Sequence, residues 1–226
     1  MTQIQRIKPE GGSMQIPAIS VVVLRGRDNE AWFKECVDSL NGSILPLHEL
    51  IIIDNRDRNI SIGAGWNLGA RESTGEWVFF IGDDDFVSPE YFIALVTSYT
   101  AAVAHPQDAE IISVSSYPTA FNDEDGAAFP VVGRIVTGMW KRDFLLSHPF
   151  NEELTRLVDA DYVARHIKNN IVIARHSYGY FYRQHSGKTS GRLIPKYEKP
   201  LQMENTATLQ VGADEVSLQI PDEEAA

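Results

Sequence analysis

Three consecutive acids, Asp83, Asp84 and Asp85, follow the hydrophobic run Trp77-Val78-Phe79-Phe80-Ile81 and the intervening Gly82. Carboxylates this close repel one another unless a cation or solvent lies between them. Hard oxygen ligands of this kind suit Mg²⁺ or Mn²⁺, ions that commonly bridge a protein to substrate phosphates. A solvated, Asp-capped turn would carry the same triplet, so the triplet alone leaves both readings open. A further acid, Asp54, and Asn55 close the run Leu50-Ile51-Ile52-Ile53. Both residue types are common in turns after strands; at a strand end they also suit contact with a nucleobase or ribose. Other phosphate-binding devices are missing. The sequence has no G-x-x-x-x-G-K-[ST], no G-x-G-x-x-G after its first strand and no G-x-S-x-G. Gly63-Ala64-Gly65 follows the second strand and lacks the third glycine.

These acids need strands to present them. Ile19–Leu24, Leu50–Ile53, Trp77–Ile81 and Ile111–Val114 are short apolar runs rich in β-branched or aromatic residues, and they predict buried strands. Helical patterns lie between them. Residues 30–40 put Trp32, Phe33, Cys36, Val37 and Leu40 on one face, and a second helix is expected over 64–73. Ser88-Pro89-Glu90 predicts a capped start for a third, which carries Phe92, Leu95, Val96, Tyr99 and Val103 at helical spacing. This alternation predicts an α/β domain with a mainly parallel sheet. Ligands of such sheets bind beyond the carboxyl ends of the strands, where the acids fall. Farther on, 116–135 reads as a long polar loop, 158–169 as a helix, and 171–174 and 178–182 as strands. The expected division is a loose leader over 1–17, a single domain over 18–196 and an acidic, mobile tail over 197–226.

Composition narrows the function classes. The 226 residues are 43% hydrophobic and 23% charged, which fits a soluble globular chain. Twenty Lys and Arg stand against 31 Asp and Glu, a formal charge of −11, which argues against general nucleic-acid binding. The charge is uneven. Arg165 to Lys196 contains seven Lys or Arg, three His and no acid, which points to a local anion site such as a phosphate. The lone Cys36 excludes an internal disulfide and a cysteine-based zinc site. No apolar run approaches the ~18 residues of a membrane span, and the first residues lack a hydrophobic signal core. A cytoplasmic protein without a membrane span is expected.

Taken together, five segments resemble the inverting, nucleotide-sugar-dependent glycosyltransferases of family 2, which have the Rossmann-like GT-A fold. Ile19–Leu24 is similar to their opening strand, and Ile51-Ile52-Ile53-Asp54-Asn55 to the strand and acidic turn that receive the nucleotide base. Trp66-Asn67-Leu68-Gly69-Ala70-Arg71, then Gly75-Glu76 through Gly82-Asp83-Asp84-Asp85, resembles the stretch leading into the DxD metal motif. Val158-Asp159-Ala160-Asp161-Tyr162 resembles the region of the catalytic base. Tyr182-Arg183-Gln184-His185 resembles a late motif that helps hold the metal–diphosphate unit. Three positions depart from the pattern. Gly82 replaces the first Asp of the metal motif, Val158 the Glu of the base motif, and Arg25-Gly26-Arg27-Asp28-Asn29 the usual turn after the first strand.

The resemblance implies a metal-dependent, inverting hexosyltransferase. Its donor would be a nucleoside-diphosphate sugar, with UDP-sugars foremost, and its cation Mn²⁺ or Mg²⁺. Asp84, Asp85 and His185 would hold the metal. Asp54, Asn55, Asn67, Arg71, Asp83 and Arg183 would bind the donor. Asp159 would be the base, with Asp161 as the alternative. The acceptor is open among glycan, lipid-linked sugar, protein side chain and modified nucleobase. Two other readings are a non-catalytic nucleotide-sugar-binding module and a metal-dependent nucleotidyltransferase or phosphohydrolase.

Overall fold

The computed structural model describes residues 3–7, 17–57, 59–104, 110–130, 138–154, 157–166, 171–174, 179–185, 206–211 and 214–219. In chain order the elements are β1 (Gln3–Ile7), β2 (Ile19–Arg25), α1 (Glu30–Asn41), β3 (Glu49–Asp54), α2 (Ile62–Glu72), β4 (Trp77–Gly82), β5 (Phe86–Val87) and α3 (Tyr91–Val103). They continue with β6 (Ser113–Ser116), β7 (Thr119–Asn122), β8 (Ala128–Pro130), β9 (Met139–Lys141), α4 (Arg142–Ser147), α5 (Val158–His166), β10 (Ile171–Ala174), β11 (Tyr180–Gln184), β12 (Thr206–Val211) and β13 (Asp214–Gln219).

Alternation along the central strands builds two cores. Val21, Val23, Phe79 and Ile81 face one cluster with Cys36 and Leu40 of α1 and Phe92 and Leu95 of α3. Val22, Leu24, Val78 and Phe80 face the other, with Ala70 of α2, Leu145 of α4 and Tyr162 of α5. Strands buried on both faces must be apolar throughout, which is why they read as unbroken hydrophobic runs. The main sheet has the order β1-β3-β2-β4-β9-β6-β10. β3, β2 and β4 pair in parallel, as do β6 and β10, while β1 and β9 run antiparallel to their neighbours. The expected mainly parallel α/β sheet, flanked by helices, is present. Helix α2 lies close on β2, because a Cβ at Gly65 would meet Leu24 Cδ1 at 2.6 Å and one at Gly69 would meet Val22 Cγ1 at 2.3 Å. These glycines serve helix–sheet contact.

The structure departs from the sequence reading in several places. The leader contributes β1, which pairs antiparallel along the outer side of β3 and becomes the edge strand there. The polar stretch 116–135 contains β7 and β8, joined antiparallel through a turn at Asp123–Asp125. Alternating small and aromatic residues there pair within a second sheet, β5-β11-β7-β8. The fourth strand begins at Ser113, two residues later than expected. Ser88 does not cap α3 with its side chain. The helix starts at Tyr91, and the Ser88 N–H donates to the Gly179 carbonyl at 2.7 Å. β12 and β13 pair with each other as a two-stranded sheet. No helix among the described residues is long and apolar enough to cross a membrane.

Candidate active site

The parallel strands β2, β3 and β4 end side by side, at Arg25, Asp54 and Gly82. The acidic triplet therefore leaves the sheet at its carboxyl edge. The chain then enters β5, against which β11 runs antiparallel with Phe181 opposite Phe86. Residues after Phe181 must pass alongside residues before Phe86. This register brings Arg183 and His185 to the acids across about a hundred residues of sequence.

The three carboxylates have different partners. Asp83 accepts from the backbone N–H groups of Gly26 and Arg27 at 3.0 and 2.9 Å, and from Arg27 Nη1 at 3.3 Å. Burial pushes its carboxyl above the usual range, against the pull of these Arg27 contacts. Asp84 Oδ2 meets His185 Nε2 at 2.9 Å and Arg27 Nη2 at 3.2 Å. Its other oxygen lies over Gly82, where a Cβ would come within 2.8 Å. The glycine at this departing motif position thus leaves room for the Asp84 carboxylate. Asp85 accepts from the Tyr180 hydroxyl at 2.6 Å and the Arg183 N–H at 3.0 Å. Both its oxygens hold β11 in place, so Asp85 acts as a fastener where the sequence suggested a metal ligand.

Arg183 is also placed differently from expectation. It is 2% exposed, and its Nε donates to the Asp84 carbonyl at 2.8 Å. Its other guanidinium nitrogens bond Asp123 and Glu35, and the rings of Trp32, Phe86 and Phe121 surround it. This cation is buried and bonded within the protein. Trp32 completes the wall, with its ring 4.5 Å from that of His185 and its indole N–H donating to Asp123 at 3.2 Å. Beneath the turn, burial and then the three acids push the Cys36 thiol well up, so it stays protonated as a core residue.

Asp54 lies at the next strand end, where Arg56 grips both its oxygens and holds its carboxyl below the usual range. Arg56 also reaches Asp28 and Glu30, tying the two loops together. Asn55 spends its side chain on Ile60, accepting from its N–H at 3.2 Å and donating to its carbonyl at 2.8 Å. Its amide closes the loop between β3 and α2 and is committed to the chain.

Asn67 and Arg71 are not brought to the acids. The Asn67 amide accepts from the Phe150 N–H at 2.9 Å and donates to the Phe150 carbonyl and to Glu152, pinning α2 to the segment after α4. Arg71 is exposed in the last turn of α2. That helix returns toward the amino ends of the strands, opposite to the acidic turn. A helix connecting parallel strands must run back in this way, and this places Arg71 at the edge of the sheet opposite the acids.

Asp159 opens α5, outside the hydrogen-bonded group of the acidic turn. It is partly accessible yet crowded by protein, and burial raises its pKa despite backbone hydrogen bonds that favour the charge. Leu157, two residues earlier, has φ 55° and is 67% exposed. A leucine in this left-handed region costs roughly 1–2 kcal/mol. Its carbonyl accepts the first helical bond, from Asp161, whose side chain pairs with Arg165 at 2.8 Å. Trp140 is buried against Tyr162 and Phe144.

The fit to a divalent cation rests on Asp84 and His185. A carboxylate oxygen and an imidazole nitrogen share one small locus there; the carboxylate suits Mn²⁺ or Mg²⁺, and the imidazole fits the softer Mn²⁺ better than Mg²⁺. Among the described residues no group of three or more His, Cys, Asp or Glu could hold an ion alone. Water and substrate phosphate would have to complete the coordination. The carboxylates of Asp83, Asp84, Asp85, Glu35 and Asp123 outnumber the guanidiniums of Arg27 and Arg183 here. Among the described residues the carboxyl edge of the sheet is therefore rich in negative charge. Sequence reasoning missed Arg27, Trp32, Asp123 and Tyr180. For Arg27 a signal existed, namely a cation directly after a strand end at the same edge as the acids. The cationic segment beyond His185, up to Lys196, lies outside the described residues.

No family model matches the chain. An uncharacterized glycosyltransferase, YwdF of Bacillus subtilis (strain 168), is 27% identical over 100 residues, or 42% of this chain and 35% of that protein. Among solved structures, S. aureus TarS superposes with a TM-score of 0.54 at 15% identity, covering 75% of this chain and 37% of TarS. TarS 1–349 in complex with UDP-GlcNAc gives 0.56 at 15% identity, covering 78% and 62%. TarS 1–349 with UDP gives 0.52 at 14% identity, covering 75% and 61%. The chain spans about a third of the curated relative's length and under two thirds of the TarS chains. At these identities the TarS likeness establishes the α/β fold.

Proposed function

We propose that the chain is a nucleotide-sugar-dependent glycosyltransferase of the family 2, GT-A type, which moves a hexose from a UDP-sugar to an acceptor hydroxyl with inversion. The observation that carries this reading is the Asp84–His185 pair, assembled from residues 101 apart at the carboxyl edge of the sheet. The glycosyltransferase relative and the likeness to a fold that in TarS holds UDP-GlcNAc support it.

Each residue then has a task. Asp84 and His185 would hold Mn²⁺ or Mg²⁺, which when bound supplies Lewis-acid stabilisation of the departing diphosphate. Asp83 fixes the loop after β2 through the Gly26 and Arg27 N–H groups and so shapes the donor pocket. Asp54 stands at the strand end where a ribose or base would lie, its charge tempered by Arg56. Asp159 takes the acceptor proton. Burial raises its pKa and so makes its carboxylate a stronger base than an ordinary one. One carboxylate suffices for a single displacement, and the product carries the inverted anomeric centre.

The test is release of UDP from UDP-sugars with Mn²⁺ present, with and without acceptor mixtures, in the intact chain and in Asp84→Ala. UDP release from a sugar nucleotide, with a loss of about 10²-fold in Asp84→Ala, is expected. Turnover of nucleoside triphosphates instead of UDP-sugars would indicate a nucleotidyltransferase or phosphohydrolase. Full activity and metal response in Asp84→Ala would overturn the metal assignment.

A further inference from the structure

Arg27 sits on the loop between β2 and α1 and is held in two ways. Its backbone N–H, with that of Gly26, donates to Asp83 Oδ2. Its guanidinium bridges the two acids, with Nη1 3.3 Å from Asp83 Oδ1 and Nη2 3.2 Å from Asp84 Oδ2. The same Asp84 oxygen meets His185. The carboxylate suited to a divalent cation is therefore already paired with a cation of the chain. A divalent ion takes its oxygens at roughly 2.0–2.2 Å, and the repulsion between it and an adjacent guanidinium is strong at such range. Both cannot keep Asp84 Oδ2 in the same geometry. The leg that can yield is Arg27 to Asp84, since this long side chain is 22% exposed. The backbone bonds to Asp83 hold the loop whether or not the guanidinium stays.

We propose that Arg27 is a tethered cation that exchanges partners. With no donor present it neutralises Asp84; a divalent cation displaces it from Asp84; it then donates to the diphosphate bound to that ion. This inference rests on the reading of the acidic turn as the donor site. The guanidinium fork matches phosphate oxygens. A phosphate on an ion held by Asp84 lies beside a side chain already anchored at the same turn. The surplus of carboxylates around the turn makes a second cation useful there.

The exchange predicts opposite effects on two ligands, a pattern that a structural role for Arg27 does not produce. Binding of Mn²⁺ alone is measured by the electron paramagnetic resonance signal of the free ion. Binding of UDP and of uridine at saturating Mn²⁺ is measured by calorimetry. Arg27→Ala is expected to bind Mn²⁺ about fivefold more tightly than the wild-type chain and UDP at least about fivefold more weakly, with uridine unchanged. Arg27→Lys, which keeps the charge and loses the fork, should fall between. Adding Asp84→Asn should erase the gain in Mn²⁺ affinity. If Arg27→Ala does not fold, Arg27→Gln carries the same comparison. Unchanged or weakened Mn²⁺ binding overturns the competition, and undiminished UDP binding overturns the transfer to phosphate. A wild-type chain that binds no UDP with any cation removes the donor reading itself, while the Mn²⁺ measurement still decides the competition.

Discussion

Asp159 is subject to two opposed demands. Burial raises its pKa, so the folded protein holds its proton more tightly than the unfolded chain does. The sign follows from linkage. Stability from this group is fully present below the unfolded pKa and is lost as pH rises through the higher folded pKa. Where it is ionised, the carboxylate therefore costs folding energy. Asp159→Asn is expected to raise the melting temperature at pH 7 while removing transfer and leaving UDP binding intact. Calorimetry beside a UDP-release assay checks both. A lower melting temperature would show that the carboxylate makes stabilising contacts, and unchanged turnover would remove it as the base. The acid limb of the rate profile should also sit above the ordinary carboxylate range, since only the ionised form accepts a proton. Little of this was legible beforehand. The sequence identifies Asp159 as an acid at a helix start, but its burial depends on how α5 packs into a core drawn from distant segments such as Val22, Phe80 and Trp140.

At the scale of elements, one guanidinium joins four pieces of chain. Arg183 on β11 bonds Glu35 of α1, Asp123 of the turn between β7 and β8, and the carbonyl of Asp84. Arg183→Met, similar in length and apolar, leaves Glu35 and Asp123 without their partner. A loss of about 1–3 kcal/mol is expected, because Arg183 itself is buried and its carbonyl partner loses its donor, while solvent reaches the two acids. Urea titration measures it, and a loss below about 1 kcal/mol would show that Arg183 is not the fastener. The opposite edge of the sheet is closed by Glu49, which accepts from Ser20 and from the N–H and hydroxyl of Thr74. Burial raises its pKa, but these hydrogen bonds outweigh it and leave the carboxyl low. Its stabilisation is thus present above the unfolded pKa and lost as pH falls through the folded one. Glu49→Ala should cost about 1–3 kcal/mol at pH 7, a penalty that shrinks in acid, since its donors lose their acceptor. Equal penalties at pH 7 and in acid would exclude the ionised network. The strands behind both networks were legible because burial on two faces forces unbroken apolar runs. Arg71 and Asn67 were misplaced because a motif gives residue types without direction. The return course of α2 and the Phe150 clamp decide where those side chains go.

Across the whole molecule the two edges of the main sheet divide the work. The amino edge is sealed by Glu49, Ser20 and Thr74, and the carboxyl edge gathers the acids, Arg27 and His185. Every strand ladder that builds the carboxyl edge lies between β1 and β11. β12 and β13 pair only with each other in the ladders of the described residues. A lone two-stranded hairpin is marginal in water and supplies little stability. Removing residues 205–226 should therefore leave the seven- and four-stranded sheets with all their ladders. The shortened chain is expected to melt within about 2 °C of the full one and to bind UDP with Mn²⁺ equally well. Differential scanning calorimetry and UDP titration on the two chains decide the matter. A fall of more than about 5 °C would mean that the hairpin packs on the core. Retained stability with lost UDP binding would instead place the hairpin at the donor site.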